Sequence, residues 1–197
     1  NAMGHFVLQD SRTLGEPKNN SGITRETLPV FFHQAYFNLK LNKYNLTIGR
    51  FELAFGNQRI IAKNNWNNVG RSFEGVLLKG HYEILDLYYH AFSLPLHEQI
   101  SNYHDNSKDN WLSGLYLSKY FTTNPGNKLS TEAYYMFSQD STEKYSYNMF
   151  GSRMEMNWNT LLVESEFAFQ LNDSIKANLF SINFGFQPKK HQFFNCS

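Results

Sequence analysis

Ile175-Lys176-Ala177-Asn178-Leu179-Phe180-Ser181-Ile182-Asn183-Phe184-Gly185-Phe186-Gln187 reads with a period of two. Phe180, Ile182, Phe184 and Phe186 alternate with Ser181, Asn183, Gly185 and Gln187. Successive side chains of a strand point to opposite faces, so one face here is strongly apolar and the other polar or small. The same alternation recurs upstream. Leu161, Val163, Phe167, Phe169 and Leu171 stand opposite Glu164, Glu166 and Gln170. Phe150, Met154, Met156 and Trp158 stand opposite Gly151, Arg153, Glu155 and Asn157. Leu85, Leu87, Tyr89 and Ala91 face away from Asp86, Tyr88 and His90, and Leu115 and Leu117 alternate with Gly114, Tyr116 and Ser118. Helical periodicity is nearly absent. Segments of about ten residues are long enough to cross a bilayer when tilted, whereas soluble strands average about half that length.

Extended along the chain, the pattern predicts ten strands near 3–10, 29–41, 44–54, 72–79, 82–92, 110–120, 129–138, 145–157, 160–171 and 174–187. Of the five odd-numbered connections, 11–28, 55–71 and 93–109 have 17 or 18 residues, and 139–144 and 172–173 are short. Of the four even-numbered ones, Asn42-Lys43, Gly80-His81 and Trp158-Asn159 have two residues and 121–128 has eight. Short turns at one mouth and long loops at the other mark an outer-membrane barrel. Composition agrees. Aromatics make up 17% of the 197 residues while mean hydropathy stays negative at −0.52. That fits a wall with one face to lipid and one to water. The fold expected is all-β, an antiparallel up-and-down transmembrane β-barrel forming a single domain over 1–197. Asn1-Ala2 before Met3 resembles the remnant of a cleaved expression tag. The loop at 55–71 is expected to be ordered and folded toward the pore.

A net charge of +1 argues against a basic nucleic-acid binder. The single Cys196 has no partner for a disulfide or a cysteine metal cluster. His97-Glu98 is followed by Ser101 where a zinc-protease helix needs a second His. No glycine-rich phosphate loop or nucleophile elbow occurs. No catalytic residue, cofactor or metal is therefore assigned. Glu164 and Glu166 share a strand face roughly 7 Å apart, near the spacing of a glycosidase pair. Alternating acids on a solvated face give the same pattern without catalysis.

Charge is unevenly spread. Residues 40–80 carry Lys40, Lys43, Arg50, Arg59, Lys63, Arg71 and Lys79 against Glu52 and Glu74, a local balance of +5. Arg50 and Glu52 share the parity opposite Phe51 and Leu53, which puts them on the polar, lumenal side. Two readings stand beside each other. Clustered guanidinium groups attract and bind carboxylates bidentately, or Arg–Glu pairs brace the wall.

The stretch Leu46-Thr47-Ile48-Gly49-Arg50-Phe51-Glu52-Leu53-Ala54-Phe55-Gly56-Asn57-Gln58-Arg59-Ile60-Ile61, then Trp66-Asn67-Asn68-Val69-Gly70-Arg71-Ser72-Phe73-Glu74-Gly75-Val76, is distinctive. It resembles the central motif of the alginate-export family of outer-membrane β-barrels. Gln9-Asp10-Ser11-Arg12, His33-Gln34-Ala35-Tyr36, Gly151-Ser152-Arg153 and Val163–Gln170 resemble further family strands in the same order. Phe51, Asn57 and Glu74 depart from it where the family prefers Gln, Asp and Asp, and Leu77 replaces a residue that is often basic. The resemblance implies a porin-like channel in the bacterial outer membrane, with outer-membrane lipid as one partner and a saccharide or other anionic solute as the other. By resemblance the solute is an alginate-like polyuronate. Barrels of the family have about eighteen strands, so this chain reads as a fragment or a shortened relative.

The expected substrate pathway is lumenal and lined by Arg50, Glu52, Arg59, Arg71, Glu74, Arg153 and Glu155. Phe167, Phe169, Phe180, Ile182, Phe184, Phe186, Leu85, Leu87 and Tyr89 are expected outside, with Glu164 and Glu166 inside. The rival reading is a soluble all-β glycan-binding module, in which the apolar face would turn inward.

Overall fold

A computed structural model describes residues 1–11, 28–64, 70–96, 110–124, 127–140, 145–172 and 176–186. Arg12, Trp66–Val69, His97-Glu98, Ser101 and Cys196 lie outside them. The ten strands are β1 (Ala2–Ser11), β2 (Leu28–Leu41), β3 (Tyr44–Phe51), β4 (Phe73–Tyr82), β5 (Leu87–Leu96), β6 (Asn110–Asn124), β7 (Asn127–Asp140), β8 (Tyr145–Trp158), β9 (Leu161–Leu171) and β10 (Lys176–Phe186). They form one antiparallel sheet in sequence order. Connections after even-numbered strands span 42–43, 83–86, 125–126 and 159–160, and those after odd-numbered strands include 12–27, 52–72 and 97–109. The length alternation therefore holds through β6, while the connections after β7 and β9, 141–144 and 172–175, are as short as 83–86. Ala2 belongs to β1 and pairs with Leu39, while the Asn1 carbonyl accepts from the Lys40 N–H.

One turn differs from the sequence expectation. β4 continues through Gly80 and His81 to Tyr82, and the chain reverses at Glu83–Asp86, with Asp86 at φ +50°. Gly80 is there for a different reason. The Tyr89 ring from β5 lies across it, and a Cβ would come within 2.3 Å of the Tyr89 hydroxyl. A glycine inside a strand pattern marks close approach as often as a turn.

Register fixes the two faces. Phe6, Phe37, Ile48, Val76, Tyr89, Leu115, Tyr135, Phe150, Phe167 and Phe180 fall on one, and in β10 Ile182, Phe184 and Phe186 continue it. Phe180, Phe184 and Phe186 are 70–73% exposed, so the apolar face turns outward. A soluble β-barrel hides that face. Leu87 and Tyr89 share the outward face as expected, while Leu85 sits in the turn.

The inward face is not uniformly polar. Phe51, Phe73, Leu77, Phe92, Leu94, Tyr116, Tyr134, Met136 and Ala168 line it and form one buried cluster with Leu53 and Ile61 of the 52–72 connection. Residues 52–64 thus lie inside the curve of the sheet, as the sequence leads one to expect, and contain no strand. The sheet curls round them without closing. Among the described residues β1 pairs only with β2, and β10 only with β9.

This inner core overturns one expectation. Arg50 and Glu74 are register partners, and they share the outward alternation of Ile48 and Val76. Phe51 and Phe73, the next pair, take the inward places because the inserted loop supplies apolar neighbours there. Polarity alone assigned Arg50 to the lumen. Packing against the loop reverses it.

Candidate functional site

The loop enters on apolar anchors and carries polar groups at its tip. Leu53 and Ile61 are buried in the inner core, each side chain contributing about 1.5–3 kcal/mol. Phe55 stacks on Tyr116 with centroids 4.2 Å apart, and Tyr116 is parallel to Tyr134 at 5.7 Å. Between the anchors the chain turns tightly. Gln58 donates its N–H to the Phe55 carbonyl at 2.9 Å, with Gly56 at φ +49° and Gln58 at +60°. A Cβ on Gly56 would lie 3.0 Å from Arg153 Cδ and 3.3 Å from the Tyr116 hydroxyl. Glycine lets the loop press its backbone onto the wall.

There the loop meets an ionic network on β7, β8 and β9. Alternation along β8 places Arg153 inward between Glu132 of β7 and Glu166 of β9. Its Nε donates to Glu164 at 2.9 Å, and one terminal nitrogen donates to Glu132 at 3.0 Å. The other terminal nitrogen reaches Glu155 at 2.5 Å and the Asn57 amide oxygen at 3.0 Å. Asn57 also donates to Glu164, whose other oxygen accepts from Asn183 of β10 at 3.2 Å. Arg59 donates to Glu166 at 3.0 Å. Tyr134 reaches the same carboxylate at 3.3 Å, crossing Gly151, where a Cβ would meet the Tyr134 ring at 2.2 Å. Tyr116 donates to Glu132.

The network is a brace. The Arg153 side chain is 5% exposed, and all three of its guanidinium nitrogens are engaged. Two arginines face four carboxylates, so the cluster carries no excess of positive charge. Glu164 and Glu166 are inward, as expected, and both are held as acceptors by arginine and amide or hydroxyl donors.

The residues expected to line the pathway thus separate. Arg59, Arg153 and Glu155 converge, and Glu155 is the most open carboxylate of the group, its side chain 39% exposed. Arg50 pairs with Glu74 at 3.1 Å on the outward face. Glu52 follows β3 and accepts from His33 at 2.9 Å, with Lys63 at 3.2 Å. Partial burial pushes the Glu52 carboxyl upward, but His33 and Lys63 outweigh it and hold it below its ordinary value. Arg71 has an exposed side chain and ties the far end of the loop through its N–H to the Lys63 carbonyl at 2.5 Å.

Sequence reasoning missed Asn57, Glu132, Tyr116, Tyr134 and Asn183. Strand parity could have found four of them, because each falls on the inward alternation of its strand. Asn57 carried no such signal; its position depends on how far the loop reaches across the sheet.

The family model described as Alginate export matches residues 1–184. A search of curated proteins gives no match. The chain belongs to the alginate export family, a family of outer-membrane transport channels rather than of enzymes.

Proposed function

We propose that this alginate-export chain forms wall of an outer-membrane channel that passes an anionic or neutral saccharide by facilitated diffusion, without chemistry on the solute. The observation that carries the reading is the division of faces. The outward face is predominantly apolar, with the Arg50–Glu74 pair at its long-loop end, and suits outer-membrane lipid, whereas the inward face holds charged and hydroxyl groups around an inserted loop. A water-filled lumen tolerates such groups, whereas a bilayer does not. Arg59, Arg153 and Glu155 border the pathway and fix its shape by bracing the loop. Arg50 and Glu74 stabilise the wall from outside the pathway.

Liposome uptake tests this reading. Vesicles carrying the protein should admit short oligouronates and neutral oligosaccharides of equal length faster than empty vesicles do, with the sugars recovered unchanged. Uptake equal to that of empty vesicles would reject the channel. Chemically altered sugar would reject passive passage.

A further inference from the structure

Near the short-turn mouth, the inward face carries rings that take no part in the buried core. His81 of β4, Tyr88 of β5 and Tyr120 of β6 are inward by register, on three adjacent strands. His81 and Tyr88 stack with centroids 4.3 Å apart and planes 19° apart, and Tyr120 meets Tyr88 edge-on at 5.7 Å. The row is pre-set. His81 Nε2 and Asp86 Oδ1 lie 2.7 Å apart, which ties the ring to the turn. Tyr88 is nonetheless 40% and Tyr120 54% exposed. Lys79 lies two residues before His81 on the same face of β4, roughly 7 Å away along the strand. It forms no ion pair among the described residues.

We propose that His81, Tyr88 and Tyr120 form a shelf on which a saccharide ring stacks, with Lys79 placed to meet a carboxylate on a uronate. The electron-rich face of an aromatic ring attracts the polarised C–H groups of a pyranose, and the apolar ring surfaces shed water on contact. A purely solvated lumen has no use for exposed rings in a fixed row. The outward aromatics at the same mouth, Tyr44 and Tyr89, already supply the lipid-interface girdle, so this inward row is additional to it. An exposed ammonium beside the row, without an ion-pair partner among the described residues, adds charge recognition. The shelf rests on the saccharide reading above and narrows it to pyranoses, with uronates held more tightly than neutral sugars.

Calorimetric titration of the detergent-solubilised protein with a triuronate and with maltotriose tests both levels. The expected result is saturable binding of both sugars, tighter for the triuronate. Tyr88→Ala should weaken both by roughly three- to tenfold, and Tyr88→Phe should keep wild-type binding. Lys79→Met should weaken the triuronate alone. The outward Tyr89→Phe should change neither. If wild-type protein binds neither sugar, the saccharide reading falls and the shelf with it. If wild type binds but folded Tyr88→Ala and Tyr120→Ala bind equally well, the shelf alone falls. Equal losses for both sugars in Lys79→Met would overturn the carboxylate role.

Discussion

Arg153 and Arg50 are both arginines on amphipathic strands beside carboxylates, yet their surroundings give them different weights. Arg153 is enclosed by Glu132, Glu155 and Glu164 with 5% of its side chain exposed, so removing it leaves carboxylates buried together without a counter-charge. Loss of one partner from a buried ion pair costs about 3–5 kcal/mol. Arg153→Met should therefore lower unfolding stability by about that amount, seen as an earlier urea midpoint in detergent. Arg50 faces Glu74, whose side chain is 50% exposed, and a pair of that kind contributes about 0–1 kcal/mol. Arg50→Ala should shift the midpoint much less. Equal effects would contradict the separation of the two faces. The inward place of Arg153 was legible from the alternation of Gly151, Arg153 and Glu155. The outward place of Arg50 was not, because that required knowing that Phe51 and Phe73 have a loop to pack against.

The 52–72 connection is a loop held by its contents rather than by strand pairing. Gly56 sits at φ +49°, where a Cβ is strained and would lie within 3.0–3.3 Å of Arg153, Glu132 and Tyr116. Gly56→Val should lift the tip from the wall, increasing proteolytic cleavage within 52–64 while the strands stay intact. The base of the loop has a pH-dependent tie in Glu52, whose folded pKa is lowered. Its contribution is fully present above the unfolded value of about 4.3 and is lost as pH falls through the lower folded value. Cleavage within 52–64 by an acid protease should accordingly rise as pH drops below about 4. Glu52→Gln should remove that pH dependence. The presence of all ten strands was readable from period-two alternation. Their ends were less so: Gly80 looked like a turn residue because its cover, the Tyr89 ring, is a cross-strand partner invisible along the chain.

Across the whole molecule the decisive property is which side the aromatic face takes. Phe180, Ile182, Phe184 and Phe186 project outward from β10, while Ser181, Asn183 and Gly185 point to the lumen. Placing a charge on the outward face should be costly in a bilayer. Phe180→Arg, at mid-strand opposite Phe167, should reduce insertion stability by about 2–4 kcal/mol. Asn183→Arg on the inner face should cost less and leave insertion intact. Composition and alternation disclosed this architecture before any coordinates, since lipid and water on opposite faces leave a direct imprint on sequence. Closure of the sheet leaves no such imprint: it depends on edge partners, and among the described residues β1 and β10 each show one. The most direct test is a spin-label scan of residues 180–186 in lipid bilayers, with Cys196 replaced by Ser. The account predicts high accessibility to oxygen at 180, 182, 184 and 186, and high accessibility to a water-soluble nickel chelate at 181, 183 and 185. Nickel accessibility at the even positions, or the same value for both quenchers all along the strand, would contradict a lipid-facing wall.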